Sequence, residues 1–110
     1  MPALPASRRG LFSEGRGGNS MIFMVVETFR NQDAKAIYRR LREKGRMMPD
    51  GLKFINSWVA ADLSRCFQLM ETDDIALLQR WIAGWSDLMA FEIVPVVSGK
   101  DTAAALSGEL

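Results

Sequence analysis

The chain has no histidine and only one cysteine among its 110 residues, and these absences exclude several kinds of site. Without histidine there is no Ser-His-Asp or Cys-His catalytic arrangement, no histidine-ligated haem and no use of the commonest general base. The lone Cys66 cannot form an internal disulfide or a CxxC pair, as expected in a reducing cytoplasm. The acidic residues follow no metal-loop spacing. The sequence therefore predicts a cytoplasmic protein with no metal and no cofactor.

Long apolar runs and an excess of one charge are also missing. No stretch approaches the 18 or so apolar residues of a membrane span, and residues 21–97 contain ten basic and ten acidic side chains. Four basic residues recur at near-helical spacing, which we interpret as a solvated helix face: Lys35, Arg39, Arg42 and Arg46. We therefore expect neither a membrane nor a nucleic acid as partner.

The chain is long enough for one domain, with extensions of different composition at its two ends. Residues 1–20 are rich in Gly, Ser, Pro and Arg, and their S-R-R-G-L-F resembles a twin-arginine signal without the apolar stretch that should follow. Such a composition buries too little surface to offset its ordering entropy. We interpret residues 1–20 as a disordered leader or a misassigned start, residues 21–97 as the domain, and residues 98–110 as a loose tail.

The domain shows a regular order of patterns between Met21 and Val97. M-I-F-M-V-V-E, L-K-F-I-N-S-W-V-A, S-R-C-F-Q-L-M-E-T and F-E-I-V-P-V-V are β-rich, whereas D-A-K-A-I-Y-R-R-L-R-E-K-G and D-D-I-A-L-L-Q-R-W-I-A-G-W have helical spacing. We expect Asn31 or Asp33 to cap the first helix, Gly45 to end it and Thr72 to cap the second. The order βαββαβ predicts a ferredoxin-like α+β fold, with one antiparallel sheet and both helices on one face.

Alternation along the strands divides the side chains between the helices and the open face of the sheet. In the third strand we assign the apolar Phe67 and Leu69 to the helices. Strand one is apolar on both sides, so its assignment is arbitrary. The side chains assigned to the open face are Phe23, Val25, Glu27, Phe54, Asn56, Trp58, Cys66, Gln68 and Met70. On the third strand this set lacks the aromatic stacking platform of the RNA-recognition module, which shares the topology.

Four segments resemble a small bacterial family catalogued as a domain of unknown function: M-I-F-M-V-V-E-T-F, G-R-M-M-P-D-G-L, S-W-V-A-A-D-L-S-R-C-F-Q-L-M-E-T-D-D and W-S-D-L-M-A-F-E-I-V-P-V-V. The string R-C-F-Q-L-M-E-T-D is the most unusual. That family is similar to the dimeric α/β-barrel branch of ferredoxin-like proteins. The resemblance implies two protomers packed sheet against sheet around a shared interior. It implies no activity, because the branch includes cofactor-free monooxygenases, isomerases, haem enzymes and binding proteins.

The open face is therefore the candidate for both assembly and ligand binding. An exposed apolar patch of this kind needs a cover, and we expect a homodimer with Phe54, Trp58 and Met70 in its interface. Apolar walls with a few polar groups also suit a small apolar ligand. The candidate ligand-binding residues are Glu27, Asn56, Trp58, Cys66, Gln68 and Met70. A cofactor-free oxygenase- or isomerase-like enzyme and a filled structural interface remain open as alternatives, with catalytic residues unassigned.

Overall fold

The computed structural model describes residues 20–110 and confirms the predicted order of elements. The strands are β1 (Met21–Phe29), β2 (Lys53–Val59), β3 (Arg65–Thr72) and β4 (Met89–Val96), and the helices are α1 (Ala34–Lys44), α2 (Ile75–Ala83) and α3 (Gly99–Leu106). The strands form one antiparallel sheet in the order β2-β3-β1-β4. This is the ferredoxin-like α+β fold. Our interpretation of the leader lies outside the described residues.

Side-chain caps fix where the two packed helices begin. The carboxylate of Asp33 accepts a hydrogen bond from the backbone N–H of Ala36 at the start of α1, as predicted. At the start of α2 the cap is Asp74, which accepts from the N–H of Ala76. The prediction that Thr72 caps this helix is wrong, because its hydroxyl instead accepts from the N–H of Asp74. Thr72 therefore holds the capping residue Asp74 in place and is not itself the cap.

The predicted face assignment of β1 and β3 is wrong: the side chains that we assigned to the open face lie on the side of the helices. Phe23, Val25 and Glu27 are at most 4% exposed and face α1 and α2, not the open side. The register pairs them in turn with Met70, Gln68 and Cys66, which face the helices for the same reason and are also buried. The helix-facing side of the sheet therefore contains a carboxyl, a thiol and an amide.

A β-bulge in β2 changes which side chains of this strand face the helices. Phe54 pairs with Met70, Asn56 pairs with Leu69, and the extra residue Ile55 lies between them. Because one residue is added, Phe54 lies on the helix-facing side, whereas Asn56 and Trp58 lie on the open side. The grouping of Phe54 with Asn56 and Trp58 is therefore wrong, and Phe54 and Met70 are not available on the open face.

The open side of the sheet is apolar at its centre. Trp58 is 50% exposed and Val94 is 37% exposed. We call this surface the open sheet face, and its central apolar members are Met24, Val26, Trp58, Phe67, Leu69 and Val94. Within residues 20–110, none of the three helices covers it, since α1 and α2 pack on the other side and α3 has no buried residue.

The C-terminal segment forms a helix that the sequence pattern did not predict. Ser98 caps α3 by accepting a hydrogen bond from the N–H of Asp101, and a 3₁₀ turn follows at Ser107–Glu109. All residues of this helix and of the 3₁₀ turn are exposed. Among the described residues, no helix combines the length and apolarity needed to cross a membrane.

Candidate functional site

A pocket lies between the helix-facing side of the sheet and helices α1 and α2. Its apolar walls are formed by Phe29, Ile37, Leu41, Trp81, Trp85 and Met89. Its polar lining consists of Glu27, Tyr38, Arg46, Ser57, Cys66 and Gln68. Apolar walls with a few convergent polar groups are typical of sites for small molecules. We call this space the sheet–helix pocket.

The sheet–helix pocket is small, and Tyr38 stands at its exposed side. The free volume inside it is about 50 Å³, enough for a few water molecules. Tyr38 is 47% exposed, whereas the strand residues Glu27, Cys66 and Gln68 are at most 7% exposed. The pocket therefore reaches the protein surface at Tyr38.

Glu27 is the most unusual group of the pocket. Its side chain is buried, and its Oε2 atom has no hydrogen-bond partner among the described residues. Burial raises the pKa of this carboxyl from 4.5 to about 7, although the Cys66 thiol and the Arg46 charge oppose the rise. A carboxyl with such a pKa exchanges protons readily near neutral pH. Leaving a buried oxygen unpaired costs about 1–3 kcal/mol.

Cys66 lies directly opposite Glu27 and acts as a hydrogen-bond donor to it. The two residues are register partners on β3 and β1. Burial, together with the charge of the Glu27 carboxyl and the hydrogen bond that the thiol donates to it, raises the pKa of the Cys66 thiol to about 12. The thiol therefore stays protonated at neutral pH, which does not suit a nucleophile.

Two indoles hold the backbone of Arg46 beside the pocket. The Nε1 atoms of Trp81 and Trp85 both donate to the Arg46 carbonyl oxygen, at 2.9 and 3.0 Å. The Arg46 guanidinium lies 3.7 Å from the centre of the Phe54 ring, a cation–π contact. The interpretation of Arg46 as part of a solvated helix face is therefore wrong, because α1 ends at Lys44 and Arg46 lies in the following loop.

The loop that carries Arg46 needs glycine at both ends. Gly45 ends α1 with φ of 70°, in the left-handed region that glycine adopts freely. Gly51 has φ of 94°, and a Cβ atom there would lie 2.8 Å from Cδ1 of Leu77. Met47 also has a positive φ of 60°. The backbone conformation of the G-R-M-M-P-D-G segment thus brings Arg46 to the wall of the pocket.

Tyr38 and Gln68 also belong to the polar lining. Burial raises the pKa of the Tyr38 hydroxyl, with contributions from Cys66 and Glu27, while the Arg46 charge lowers it. The amide Nε2 of Gln68 donates to the Met70 sulfur at 3.5 Å. Within residues 20–110, no three acidic or thiol side chains come together as metal ligands.

Comparison with known proteins places the chain in a family. Residues 21–110 match the family described as "Domain of unknown function (DUF3303)". The chain belongs to the DUF3303 family. The curated proteins compared with it include no match.

One solved structure shares the fold of this DUF3303 protein. It is described as "Putative antibiotic biosynthesis monooxygenase" from Bacteroides thetaiotaomicron VPI-5482. The two chains are 16% identical with a TM-score of 0.52, over 74% of this chain and 90% of the other. A likeness at this identity concerns the fold alone.

The sheet–helix pocket brings together only some of the candidate residues of the DUF3303 protein. Glu27, Cys66 and Gln68 line it. Met70 is not part of the lining, but its sulfur accepts a hydrogen bond from the Gln68 amide. Asn56 and Trp58 lie on the open sheet face, so a binding role for them stays a prediction about that face. Sequence reasoning missed five polar or indole side chains that line the pocket: Tyr38, Arg46, Ser57, Trp81 and Trp85. The two tryptophans four residues apart were the available signal, but their shared acceptor could not be read from spacing.

Proposed function

We propose that this DUF3303 protein binds a small, largely apolar molecule in the sheet–helix pocket, with Glu27 accepting a hydrogen bond from it. The observation that carries the proposal is the buried Oε2 atom of Glu27, which lacks a partner among the described residues. A ligand O–H or N–H at this position would remove the cost of the unpaired oxygen. Gln68 supplies a donor on the same side of the sheet, next to the apolar walls.

The location differs from that predicted from the sequence, which was the interior between two sheets. The polar groups suited to orienting a ligand lie under the helices, whereas the open sheet face is mainly apolar. Binding in the sheet–helix pocket therefore needs only one copy of the chain.

A thermal-shift screen of small phenols, anilines and lipophilic compounds tests the binding proposal. A ligand present at 100 times its Kd adds about 2.7 kcal/mol to the free energy of unfolding, so its binding is readily seen as a rise in Tm. We expect Glu27→Gln to weaken the rise and Glu43→Gln, at an exposed position of α1 away from the pocket, to leave it unchanged. A hit that responds equally in both variants would place the site elsewhere, and no hit at millimolar concentration would contradict the proposal.

A separate proposal concerns assembly: two copies associate through their open sheet faces. The apolar centre of this face supports it, since burying a Trp or Phe side chain contributes roughly 1.5–3 kcal/mol. Charge supports a second copy as the occupant. Arg65 and Glu92 both belong to this face by their registers with Thr28 and Val26, so a two-fold arrangement offers each Arg65 a partner glutamate.

A cofactor-free enzyme remains the second candidate. The name of the similar structure refers to a monooxygenase, and the raised pKa of Glu27 suits a general base. Catalysis would use the same sheet–helix pocket.

A further inference from the structure

We infer that Glu27 is a general base that removes a proton from carbon next to a carbonyl group of the bound molecule. The inference rests on the proposed binding function and adds a reaction to it. It starts from geometry: a buried carboxyl with one unpaired oxygen faces a pocket whose walls are mostly apolar. Within residues 20–110 no donor reaches Oε2, so the atom can accept a proton from a ligand.

The proton and the electrons balance without a cofactor. Oε2 of Glu27 takes the proton, and the electron pair of the C–H bond forms a C=C bond to the carbonyl carbon. The carbonyl π pair moves onto its oxygen, which gives an enolate. Return of the same proton from Glu27 to another carbon of a conjugated enolate produces a double-bond isomer, so no oxidant or reductant is needed.

Groups able to stabilise the enolate oxygen are close to Glu27. Arg46 lines the same pocket, and its positive charge lowers the pKa values of Glu27, Tyr38 and Cys66. The Tyr38 hydroxyl and the Gln68 amide are neutral donors on the pocket wall. Donors fixed before the reaction stabilise developing charge at little reorganisation cost.

The pH dependence of the reaction follows from the groups that face Glu27. They are Cys66 from β3, Tyr38 from α1 and Arg46 from the loop after α1, whereas Phe91 of β4, Trp81 of α2 and Trp85 just after that helix do not titrate. The thiol and the phenol stay protonated at neutral pH. The pKa of Glu27, raised to about 7 by burial, makes the carboxylate the form that accumulates above neutrality. The rate should therefore rise through pH 7 and level off above it.

Hydrogen–deuterium exchange at the α-carbon of cyclopentanone, 2-indanone and 2-tetralone, followed by ¹H NMR in D₂O, tests the inference. The same samples report binding through saturation-transfer signals. We expect the wild-type protein to accelerate exchange of at least one ketone, and Glu27→Gln to lose about a hundredfold or more of that rate while still binding. Glu27→Asp should keep part of the rate, and Glu43→Gln, on the exposed side of α1, should keep all of it.

The outcomes separate the two levels of the proposal. A ketone that binds but exchanges no faster with wild type than with Glu27→Gln overturns proton abstraction and leaves binding in place. Failure of all three ketones to bind counts against the binding proposal and the inference together. Exchange that survives in Glu27→Gln assigns the base to another group and also overturns the inference.

Discussion

Glu27 and Cys66 are opposite neighbours on β1 and β3, and both side chains lie under the helices rather than on the open sheet face. Each shifts the proton equilibrium of the other. The thiol hydrogen bond lowers the pKa of Glu27 against a larger rise caused by burial, whereas the carboxyl adds to the rise at Cys66. The pair therefore consists of a carboxyl that titrates near neutrality and a thiol that remains a donor.

The raised pKa of Glu27 predicts that stability falls as pH rises. Between the unfolded pKa of about 4.5 and the folded pKa of about 7, the folded state holds a proton that the unfolded state has lost. This group's contribution to the free energy of unfolding is thus fully present below about pH 4.5 and decreases by about 3 kcal/mol up to about pH 7. We expect Glu27→Gln to gain on wild type by about that amount over this range in urea denaturation.

The control for this measurement is Glu43→Gln, which removes one glutamate charge at an exposed position of α1. An advantage of Glu27→Gln that stays constant with pH would show that burial does not perturb the Glu27 carboxyl.

The raised pKa of Cys66 predicts a slow reaction with iodoacetamide. At pH 8, a thiol with a pKa of about 12 is ionised in only about one molecule in ten thousand, whereas an ordinary thiol near 8.5 is ionised in about a quarter. We expect alkylation of the folded protein to be at least a thousandfold slower than in urea. Because Cys66 is the only cysteine, mass spectrometry reports this site alone. Rates within tenfold of each other would contradict the account.

The shared acceptor of Trp81 and Trp85 predicts non-additive stability losses. In either single Trp→Phe variant the Arg46 carbonyl keeps one indole donor, but in the double variant it loses both. We expect the double variant to lose about 1 kcal/mol more than the sum of the single losses. Urea denaturation of the four proteins measures the difference. Additive losses would mean that the second hydrogen bond contributes nothing.

The apolar centre of the open sheet face predicts that one charge there prevents assembly. For the chain beginning at Met21, light scattering at micromolar concentration should give twice the monomer mass for wild type and the monomer mass for Trp58→Lys. Ile75→Lys is the matched control, because Ile75 is also 50% exposed but lies on α2. A monomeric wild-type protein would contradict the assembly proposal.

The βαββαβ order was predictable because each of its strands and helices carries a clear local pattern, including the Asp33 cap and the Gly45 stop, whereas α3 carries none. The site was not, because its polar residues occupy buried positions where binary patterning expects apolar ones. The apolarity of Phe67 and Leu69 predicts that they face the helices, and alternation then assigns Cys66 and Gln68 to the open face. The structure reverses both pairs. Local rules are most often broken at functional sites, so the reversal itself supports the sheet–helix pocket as the site.

The bulge at Ile55 could not be predicted from the sequence pattern, for a different reason. A strand with one extra residue keeps its β-rich composition, so alternation alone assigns Phe54 to the face of Asn56 and Trp58. Strand β1 is apolar on both sides, and only the register with β3 determines which side Glu27 occupies. Pairing between strands is information that a single strand's pattern does not contain.

The most direct test of the account is an NMR titration of ¹⁵N-labelled protein with the strongest hit of the compound screen. We predict chemical-shift changes at Glu27, Cys66, Gln68 and the indole N–H groups of Trp81 and Trp85, with none at Trp58. In Glu27→Gln the changes should require a higher ligand concentration. Shift changes confined to Met24, Trp58 and Leu69 would place the ligand on the open sheet face and contradict the central claim.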